Sequence, residues 1–476
     1  IDVALIRATT ADPDGNLTME REALTLEAQA LAMAAHNSGG IVIAQVERIA
    51  ERGSLKPREV KVPGVLVDCV VLAEDESHHW QTFATRYRAA YAGELREPRE
   101  NLTPLPLSPR KVIARRAALE LRANSVVNLG IGMPEGVAAV AAEENIIDLL
   151  TLTAEPGVIG GIPASGLDFG AAVNPQAVID QPSQFDFYDG GGLDIACLGL
   201  AQADHEGNLN VSRFGTRLAG AGGFINISQS AHRLLFLGSF LATCGELQVG
   251  EGRLRILREG KGIKFVDAVE QRTFSAREAL RRGQSVLYVT ERCVFELGAE
   301  GLLLREVAPG IDIERDLLQH MAFRPLTPED PASMDPALFR AEPLDLRARL
   351  LAMPLPARFA FDPARGILFI NFERLAVRTL EDVEAIRACV QQALAGVNDK
   401  VLALVNYDHF QLAPEIELAY AEMVHDLVQR HYRDVCRYTT SGFLRSKLGQ
   451  ALDQRGVAPH IYESAHEALA HLGEAD

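Results

Sequence analysis

An internal repeat constrains the fold of this chain more than any other feature of its sequence. Residues 2–17 (DVALIRATTADPDGNL) align without a gap to residues 194–209 (DIACLGLAQADHEGNL), at an offset of 192 positions (194 − 2). Seven of the sixteen pairs are identical, and both copies contain the pattern D-x-[DE]-G-N. Each copy is typical of an apolar strand that leads into a tight polar turn. The repeat therefore predicts two structurally related halves.

A second pair of similar segments follows each copy. Gly39-Gly40 precede an apolar segment at 41–43, and Gly222-Gly223 precede a similar segment at 224–226. We expect each copy to continue through a Gly-Gly turn into another strand, which in the second copy covers residues 225–227.

The two copies differ in what precedes them. A Pro-rich stretch ends at Pro109, and 85 residues of patterned sequence (194 − 109) separate it from Asp194. The first copy begins at Asp2, so we expect the first half to be truncated at its start and to be completed by a separate upstream segment. The predicted domains are residues 1–100, 101–340 and 345–476, with a second Pro-rich stretch between the last two.

Strands and helices alternate along the rest of the chain. The predicted elements of the second half are a helix at 108–123, a strand at 126–129, a helix at 135–144 and a strand at 149–153. Those of the last region are strands at 367–372 and 401–406 and helices at 379–394 and 414–431, with Thr379 and Asp382 as a capping pair. This rhythm predicts an α/β fold class, with two related doubly wound, mainly parallel open-sheet halves and a small C-terminal α/β domain.

Charge and composition exclude several classes of function. The formal net charge is −17, from 47 basic and 64 acidic residues, so phosphates of nucleic acids and anionic membranes would be repelled. One anionic small ligand held by local groups remains compatible with this charge. Apolar runs are shorter than the ~18 residues of a membrane helix. Six scattered cysteines without C-x-x-C spacing predict neither a disulfide framework nor a metal site, which favours a reducing, cytoplasmic location.

A glycine-rich turn follows the predicted strand at 126–129. The segment VVNLGIGMPEG has the spacing G-x-G-x-x-x-G, which departs from the dinucleotide fingerprint, and Asp148 precedes the next strand rather than ending it. Use of NAD is therefore disfavoured. The glycines can instead let the backbone approach another ligand, or form a plain strand-to-helix turn.

Glu155 is the candidate nucleophile. It lies in TAEPGVIGGIP, directly after an apolar strand, where ligands bind in sheets of this kind. A carboxylate is ionised at neutral pH and needs no partner base to attack. Read alone, an acidic residue at a strand end is more often a solvated loop residue.

Two further glycine-rich segments are candidates for the same site. Residues 220–224 (GAGGF) could direct backbone N–H groups at a developing oxyanion, or form an ordinary turn. Residues 184–194 (QFDFYDGGGLD) place aromatic residues beside three glycines, which suits either a hinge or a pocket wall.

Together these segments resemble the family I coenzyme A transferases, and most of all the single-chain branch that acts on acetate, short-chain acyl and 3-oxoacid substrates. The similarity runs from about residue 1 to 340 and includes VNLGIGMPEG, TAEPGVIGGIP, SQFDFYDGGGLD, GAGGFINIS and, in the first half, HNSGGIVIAQV. Residues 345–476 lie outside the family pattern. Their β-α alternation suits a regulatory, interaction or oligomerisation module.

The resemblance implies roles for individual residues. Glu155 would attack the acyl-CoA, and the backbone of Gly222 and Gly223 would supply an oxyanion donor, with a second donor from a side chain upstream of Ile1. The residues implied on the CoA-binding side are Asn128, Gly130, Gly132, Gly160 and Gly161.

The implied reaction is a ping-pong transfer of coenzyme A through a glutamyl-CoA thioester. Acyl-CoA and a small carboxylic acid are the expected substrates, no metal or bound cofactor is required, and a homo-oligomer is expected. Two alternatives stay open: an acyl-CoA hydrolase on the same scaffold, and a catalytically silent CoA-binding regulatory protein.

Overall fold

The computed structural model describes residues 1–98, 104–351, 353–373, 375–408, 410–439 and 461–462. The chain divides into two compact units, Ile1–Arg347 and Ala348–Asp476. Among the described residues, none of the helices combines the length and the apolar character needed to cross a membrane.

A ten-stranded sheet forms the centre of the second half. Its strands lie in the order Ala177–Val178, Val158–Ile159, Thr151–Ala154, Val126–Leu129, Ile195–Gly199, Arg233–Leu237, Ser285–Val289, Cys293–Gly298, Gly301–Val307 and Ala332–Ser333. The five middle strands, from Thr151–Ala154 to Ser285–Val289, are parallel. The strands next to this block on either side are antiparallel to it. The predicted α/β class with a mainly parallel sheet is confirmed.

The order of the five parallel strands identifies where a ligand can bind. Numbered along the chain, they lie in the order 2-1-3-4-5, so the order reverses between Val126–Leu129 and Ile195–Gly199. In open α/β sheets, ligands bind outside the carboxyl ends of the strands at such a switch point. Strand Ile195–Gly199 (IACLG) is apolar throughout, as expected for a parallel strand covered on both faces.

Helices and short hairpins surround this sheet. The helices are Pro109–Ala118, Glu135–Glu143, Gln181–Asp189, Phe224–Ser230 and Ala276–Arg281, and Leu346–Leu351 follows them. Single-turn segments are Ile147–Leu149, Gly166–Asp168, Ile313–Leu317, Leu318–His320 and Pro336–Phe339. The hairpins pair Ile162–Pro163 with Ala172–Val173, Gln202–Ala203 with Leu209–Asn210, Arg213–Phe214 with Arg217–Leu218, Leu241–Thr243 with Lys261–Ile263, and Glu246–Gly250 with Arg253–Arg258.

The first predicted helix begins as expected but ends earlier. Ser108 accepts the backbone N–H of Lys111 and caps the helix, with Pro109 at its first position. The helix stops at Ala118 rather than near residue 123, and the chain then passes through Asn124, which has a left-handed φ of 65°.

The first half has a smaller version of the same arrangement. A parallel sheet has the strand order Val3–Arg7, Ile41–Val46, Cys69–Leu72, and a four-stranded sheet has the order Arg48–Ile49, Thr10–Ala11, Leu17–Thr18, Val60–Val62. The helices are Ala28–Asn37 and Ala89–Ala92, with single turns at Gly64–Leu66 and Glu76–His78.

The sequence repeat has the same backbone structure in both halves. Asp12 accepts the N–H of Asn16 at 3.0 Å, and Asp204 accepts the N–H of Asn208 at 2.9 Å. Each asparagine in turn accepts a further backbone N–H, from Gly64 and Ala276 respectively. In each half, the repeated motif therefore bonds to the first residue of a distant helical segment, Gly64–Leu66 or Ala276–Arg281.

The predicted continuation of the repeat after Gly222-Gly223 is wrong. These glycines lead into helix Phe224–Ser230 rather than a strand at 225–227. The segment alternates apolar and polar residues as a strand would, but its buried residues have helical spacing: Phe224, Ile227 and Ser228. The strand that corresponds to Ile41–Val46 is Arg233–Leu237, which keeps the offset of 192 (233 − 41).

The second unit is a small α/β domain with its own core. Its sheet has the order Phe359–Asp362, Ile367–Asn371, Val401–Asn406, Tyr432–Tyr438, Ile461–Tyr462, and a second pair joins Ala376–Val377 to Gln411–Leu412. The helices are Leu380–Ala393 and Glu417–His431, with single turns at Leu355–Arg358 and Pro414–Ile416. The predicted capping pair is confirmed, because Thr379 and Asp382 each bind the other's backbone N–H.

Candidate active site

Glu155 lies at the carboxyl end of strand Thr151–Ala154, in the tight turn to strand Val158–Ile159. Gly157 closes this turn by donating its N–H to the carbonyl of Ala154 at 3.1 Å. Its φ is +120°, and a Cβ there would come within 2.0 Å of the carbonyl oxygen of Ile179. Only glycine fits this position, so the E-P-G sequence fixes where the carboxylate emerges.

The Glu155 carboxylate faces the backbone of Gly223. The N–H of Gly223 donates to the carboxylate, and a Cβ added at Gly223 would lie 2.7 Å from both Cδ and Oε2 of Glu155. Gly223 is also the residue that caps helix Phe224–Ser230. The absence of a side chain is therefore what permits the contact between this donor and the carboxylate.

A cavity of about 340 Å³ opens beside the carboxylate at the switch point of the sheet. It is lined by residues that follow two neighbouring parallel strands and by the glycine-rich segment 219–223: Asn128, Leu129, Gly130, Ile131, Glu155, Phe169, Leu198, Gly199, Val211, Ala219, Gly220, Ala221, Gly222, Gly223, Phe224 and Ile227. Among these described lining residues, Glu155 is the only ionisable side chain.

The environment raises the pKa of Glu155. Burial disfavours the charged carboxylate and raises the pKa above its usual range, whereas the N–H of Gly223 stabilises the charge and opposes part of this shift. A carboxylate with a raised pKa is a stronger base and a better nucleophile than a solvated one.

A buried polar network lies behind the Glu155 turn. The hydroxyl of Tyr188 donates to Thr153 Oγ1 at 2.9 Å and accepts from Asn128 Nδ2 at 3.1 Å and Gln184 Nε2 at 2.7 Å. All four side chains are at most 1% exposed. Burial raises the pKa of Tyr188, and the charge of the Glu155 carboxylate acts in the same direction.

Helix Gln181–Asp189 holds both sides of the contact between Glu155 and Gly223. On one side, Gln184 Nε2 lies 3.3 Å from the carbonyl oxygen of Ala154, directly before Glu155. On the other side, Asn226 Nδ2, in the helix that Gly223 caps, donates to the Asp189 carboxylate and lies 3.1 Å from its Oδ1 and 2.9 Å from its Oδ2.

The first half positions Phe169, another residue of the cavity wall. The neighbouring Asp168 accepts hydroxyl groups from Thr82, from Thr85 at 2.8 Å and from Tyr91 at 3.2 Å. These bonds hold the pKa of Asp168 below its usual range, although burial alone acts in the opposite direction. One wall of the cavity therefore depends on contacts with residues 82–91.

The structure brings together five of the eight residues predicted for the site. Those that line the cavity are Asn128, Gly130, Glu155, Gly222 and Gly223. Gly130 lies in close contact with the neighbouring strand, because a Cβ there would be 3.3 Å from the carbonyl oxygen of Cys197.

The other three predicted residues lie outside this cavity. Gly132 donates to Glu135 Oε1 at 3.0 Å, in the turn before helix Glu135–Glu143. Gly160 and Gly161 both have positive φ, and a Cβ on Gly161 would lie 2.6 Å from the carbonyl oxygen of Val173. These turns and close contacts give each glycine a structural reason. A role of Gly132, Gly160 and Gly161 in CoA binding stays a prediction.

Sequence analysis missed several residues of the site. Gln184 and Tyr188 lie in the segment 184–194, whose sequence suits a hinge or a pocket wall, and both belong to helix Gln181–Asp189, which has Pro182 near its start. Their spacing of four residues was the available signal. No local sequence pattern indicates Phe169, because its position depends on contacts between Asp168 and residues 82–91. Within the described part of the chain, no three His, Cys, Asp or Glu residues are grouped to hold a metal ion.

Comparisons with known proteins agree with this geometry. Residues 1–73 match the family model described as Coenzyme A transferase. A caffeate CoA-transferase of Acetobacterium woodii is 51% identical over 344 residues, which make up 71% of this chain and 66% of that protein. The acetate CoA-transferase YdiF of Escherichia coli (strain K12) is 41% identical over 338 residues, which make up 71% of this chain and 63% of that protein.

Solved structures of an acyl-CoA transferase are also similar to this chain. The crystal structure of the YdiF apoenzyme from Escherichia coli O157:H7 matches with a TM-score of 0.67 at 40% identity, covering 72% of this chain and 64% of that one. A structure of the same protein described as a thioester complex with CoA matches with a TM-score of 0.66. This chain spans less than two thirds of the length of these relatives.

Proposed function

This chain belongs to the family I coenzyme A transferases, and we propose that it transfers coenzyme A between a short-chain acyl-CoA and a carboxylic acid, with Glu155 as the nucleophile. The observation that supports this proposal most directly is the contact between the Glu155 carboxylate and the N–H of Gly223, in a cavity at the switch point of the sheet. Acyl-CoA and small carboxylic acids are the proposed substrates. Formation of a homo-oligomer and a cytoplasmic location stay predictions.

The first step forms a mixed anhydride. A carboxylate oxygen of Glu155 attacks the thioester carbonyl of acyl-CoA, the C–S bond breaks, and CoA leaves as a thiolate. Burial supports this step, because it removes water that would solvate the carboxylate.

The second step forms the enzyme thioester. The CoA thiolate attacks Cδ of Glu155, the bond to the acyl carboxylate breaks, and the free acid leaves as a carboxylate. A second carboxylate then takes the CoA by the same steps in reverse. Because a thioester is replaced by a thioester, the reaction conserves its free energy without a nucleotide.

Gly223 is proposed to stabilise the charge that develops in these steps. Attack on Cδ of Glu155 turns one of its oxygens into an oxyanion, and the N–H of Gly223 already points at that carboxylate. A fixed donor at an oxyanion lowers the barrier by about 3 kcal/mol. The neighbouring Gly222 has a φ of +54°, which allows the chain to turn into this position.

Asn128 and Gly130 are proposed to contact the pantetheine arm of CoA. Both line the cavity, and Asn128 Oδ1 is a buried acceptor that no donor of the described residues reaches. An amide N–H of the pantetheine arm would satisfy this acceptor.

A second candidate is transfer of CoA to a larger aromatic acid. A groove of about 560 Å³ shares Phe169 with the cavity, and its lining includes Leu24, Trp80, Pro156 and Leu167. The similarity to a caffeate CoA-transferase favours an acid of this kind. Comparison of caffeate with acetate as the CoA acceptor distinguishes the two candidates.

Intact-protein mass spectrometry tests the proposed function. The chain is mixed with acetyl-CoA, and we expect a covalent adduct with the mass of CoA minus water, located on Glu155. Glu155→Gln should abolish the adduct, whereas Glu296→Gln, on the distant strand Cys293–Gly298, should retain it.

Each outcome of this experiment has a distinct meaning. Discharge of the adduct by added acetate, with formation of acetyl-CoA, supports the transferase. Equally fast discharge without any acid would indicate a hydrolase. CoA binding without an adduct would indicate a catalytically silent binding protein.

A further inference from the structure

Tyr188 is fully buried, and its hydroxyl bonds to Thr153, two residues before Glu155, but the proposed chemistry makes no use of it. We propose that Tyr188 is a positioning residue, whose hydroxyl holds the Glu155 turn at the distance from Gly223 that nucleophilic attack requires. This inference rests on the proposed function and adds a residue to it.

The direction of each hydrogen bond follows from the partners. Thr153 Oγ1 donates to the carbonyl of Val127 at 3.2 Å, so it accepts the proton of Tyr188. The Tyr188 oxygen is then free to accept from the two amide groups, Asn128 Nδ2 and Gln184 Nε2. The hydroxyl thus uses its single proton and both lone pairs, which leaves one orientation for all four side chains.

These bonds converge on the backbone that carries Glu155. Gln184 Nε2 also lies 3.3 and 3.4 Å from the carbonyl oxygens of Ala154 and Val158, the residues on either side of the turn. The Tyr188 hydroxyl fixes the orientation of this amide. Loss of the hydroxyl would therefore remove the bond that orients the Gln184 amide against these two carbonyls.

The same helix also restrains Gly223. The ring of Phe185 lies close to Gly223, since a Cβ there would come 2.7 Å from Phe185 Cζ. Phe185 packs edge-to-face on Tyr188, with ring centroids 6.0 Å apart. Tyr188 therefore links the nucleophile and the donor through contacts on one helix, and a displacement of either by about 1 Å can cost about 100-fold in rate.

Tyr188→Phe tests this inference, because it removes the hydroxyl and keeps the ring. We expect kcat for CoA transfer to fall about 10- to 100-fold, with KM for acetyl-CoA changed less than about twofold. Thr153→Val should give a similar loss, and Thr153→Ser should recover most of it. The double variant Tyr188→Phe/Thr153→Val should lose little more than either single variant, because both remove the same bond.

Tyr288→Phe is the matched control. Tyr288 is also fully buried, and its hydroxyl donates to the carbonyl of Gly207, away from the cavity. It should lower thermal stability while leaving kcat unchanged.

Three results would overturn the inference. An unchanged kcat in Tyr188→Phe would show that the hydroxyl does not act on Glu155. A loss of kcat matched by an equal loss in Tyr288→Phe would show a general effect of stability. A wild-type chain that forms no thioester adduct would overturn the proposed function, and this inference with it.

Discussion

Gly223 and Glu155 lie 68 positions apart in the chain (223 − 155), yet the N–H of Gly223 donates to the carboxylate of Glu155. The contact has no room for a side chain, because a Cβ on Gly223 would approach Glu155 Cδ to 2.7 Å. The carboxylate is consequently held by a donor that carries no charge, which leaves it reactive.

Gly223→Ala should lower kcat by about 100-fold or more, because the new methyl group would displace the carboxylate from its donor. Gly222→Ala is the matched control: its φ of +54° disfavours alanine, but its Cβ would meet nothing within 4 Å. We expect the second change to cause a much smaller loss. Steady-state kinetics of CoA transfer measure both, and equal losses would contradict a specific contact at Gly223.

The pH dependence of kcat/KM should report the raised pKa of Glu155. Protonation removes the nucleophile, so kcat/KM should fall about tenfold per pH unit below that pKa. Because burial raises the pKa, the midpoint should lie above the value near 4.3 of a solvated glutamate. A midpoint at or below that value would contradict the burial of the carboxylate.

Glu155→Gln should increase thermal stability at pH 7. The pKa of Glu155 is higher in the folded than in the unfolded chain, so its contribution to stability is present at acid pH and is lost as the pH rises through the folded pKa. Glutamine carries no charge at any pH. Calorimetry should therefore show a higher Tm for Glu155→Gln than for wild type at pH 7, and this difference in Tm should shrink towards pH 4. An equal difference in Tm at pH 7 and pH 4 would show that it does not come from the charge of Glu155.

Asp168→Ala should destabilise the first unit by about 1–3 kcal/mol, since three hydroxyl donors lose their charged acceptor. Thr85→Val removes one donor and should cost less. The pKa of Asp168 is lowered in the folded chain, so its contribution is present above the unfolded pKa and is lost as the pH falls. Urea unfolding at pH 7 and pH 3 measures the effect, which should be smaller at pH 3.

Thr379→Ala should destabilise the second unit by about 1 kcal/mol, because it removes the side-chain cap of helix Leu380–Ala393. Thr379→Ser keeps the hydroxyl and should retain most of the stability. Urea unfolding followed by circular dichroism distinguishes the two variants. Equal midpoints for wild type and Thr379→Ala would contradict the contribution of the cap.

Local patterns in the sequence were sufficient for much of the fold. The strands Val126–Leu129 and Val401–Asn406 have the predicted bounds, and Glu155 follows a buried strand as predicted. These features depend on apolar runs and on turn residues close to them in the chain. The segment after Gly223 was assigned wrongly because its alternating pattern fits a strand, whereas its tertiary contacts favour a helix.

The arrangement around Glu155 depends on contacts that no local pattern encodes. Tyr188 bonds to Thr153 across 35 positions and to Asn128 across 60. Each of these residues read alone is an ordinary polar side chain in an apolar segment. Only the strand order 2-1-3-4-5 brings them together, and that order is not visible in a single sequence.

The contact between Glu155 and Gly223 depends on helix Gln181–Asp189, whereas the cavity wall at Phe169 depends on a different part of the chain. One helix contacts both the backbone before Glu155 and the helix that Gly223 caps, so a displacement of this helix would shift the carboxylate and its donor in the same direction. Phe169 instead follows Asp168, which is bonded to Thr85 and so to the segment 82–91. A shift of the segment 82–91 would therefore change the width of the cavity beside Phe169 without changing the contact between Glu155 and Gly223, so the shape of the cavity and the position of the carboxylate depend on different parts of the chain.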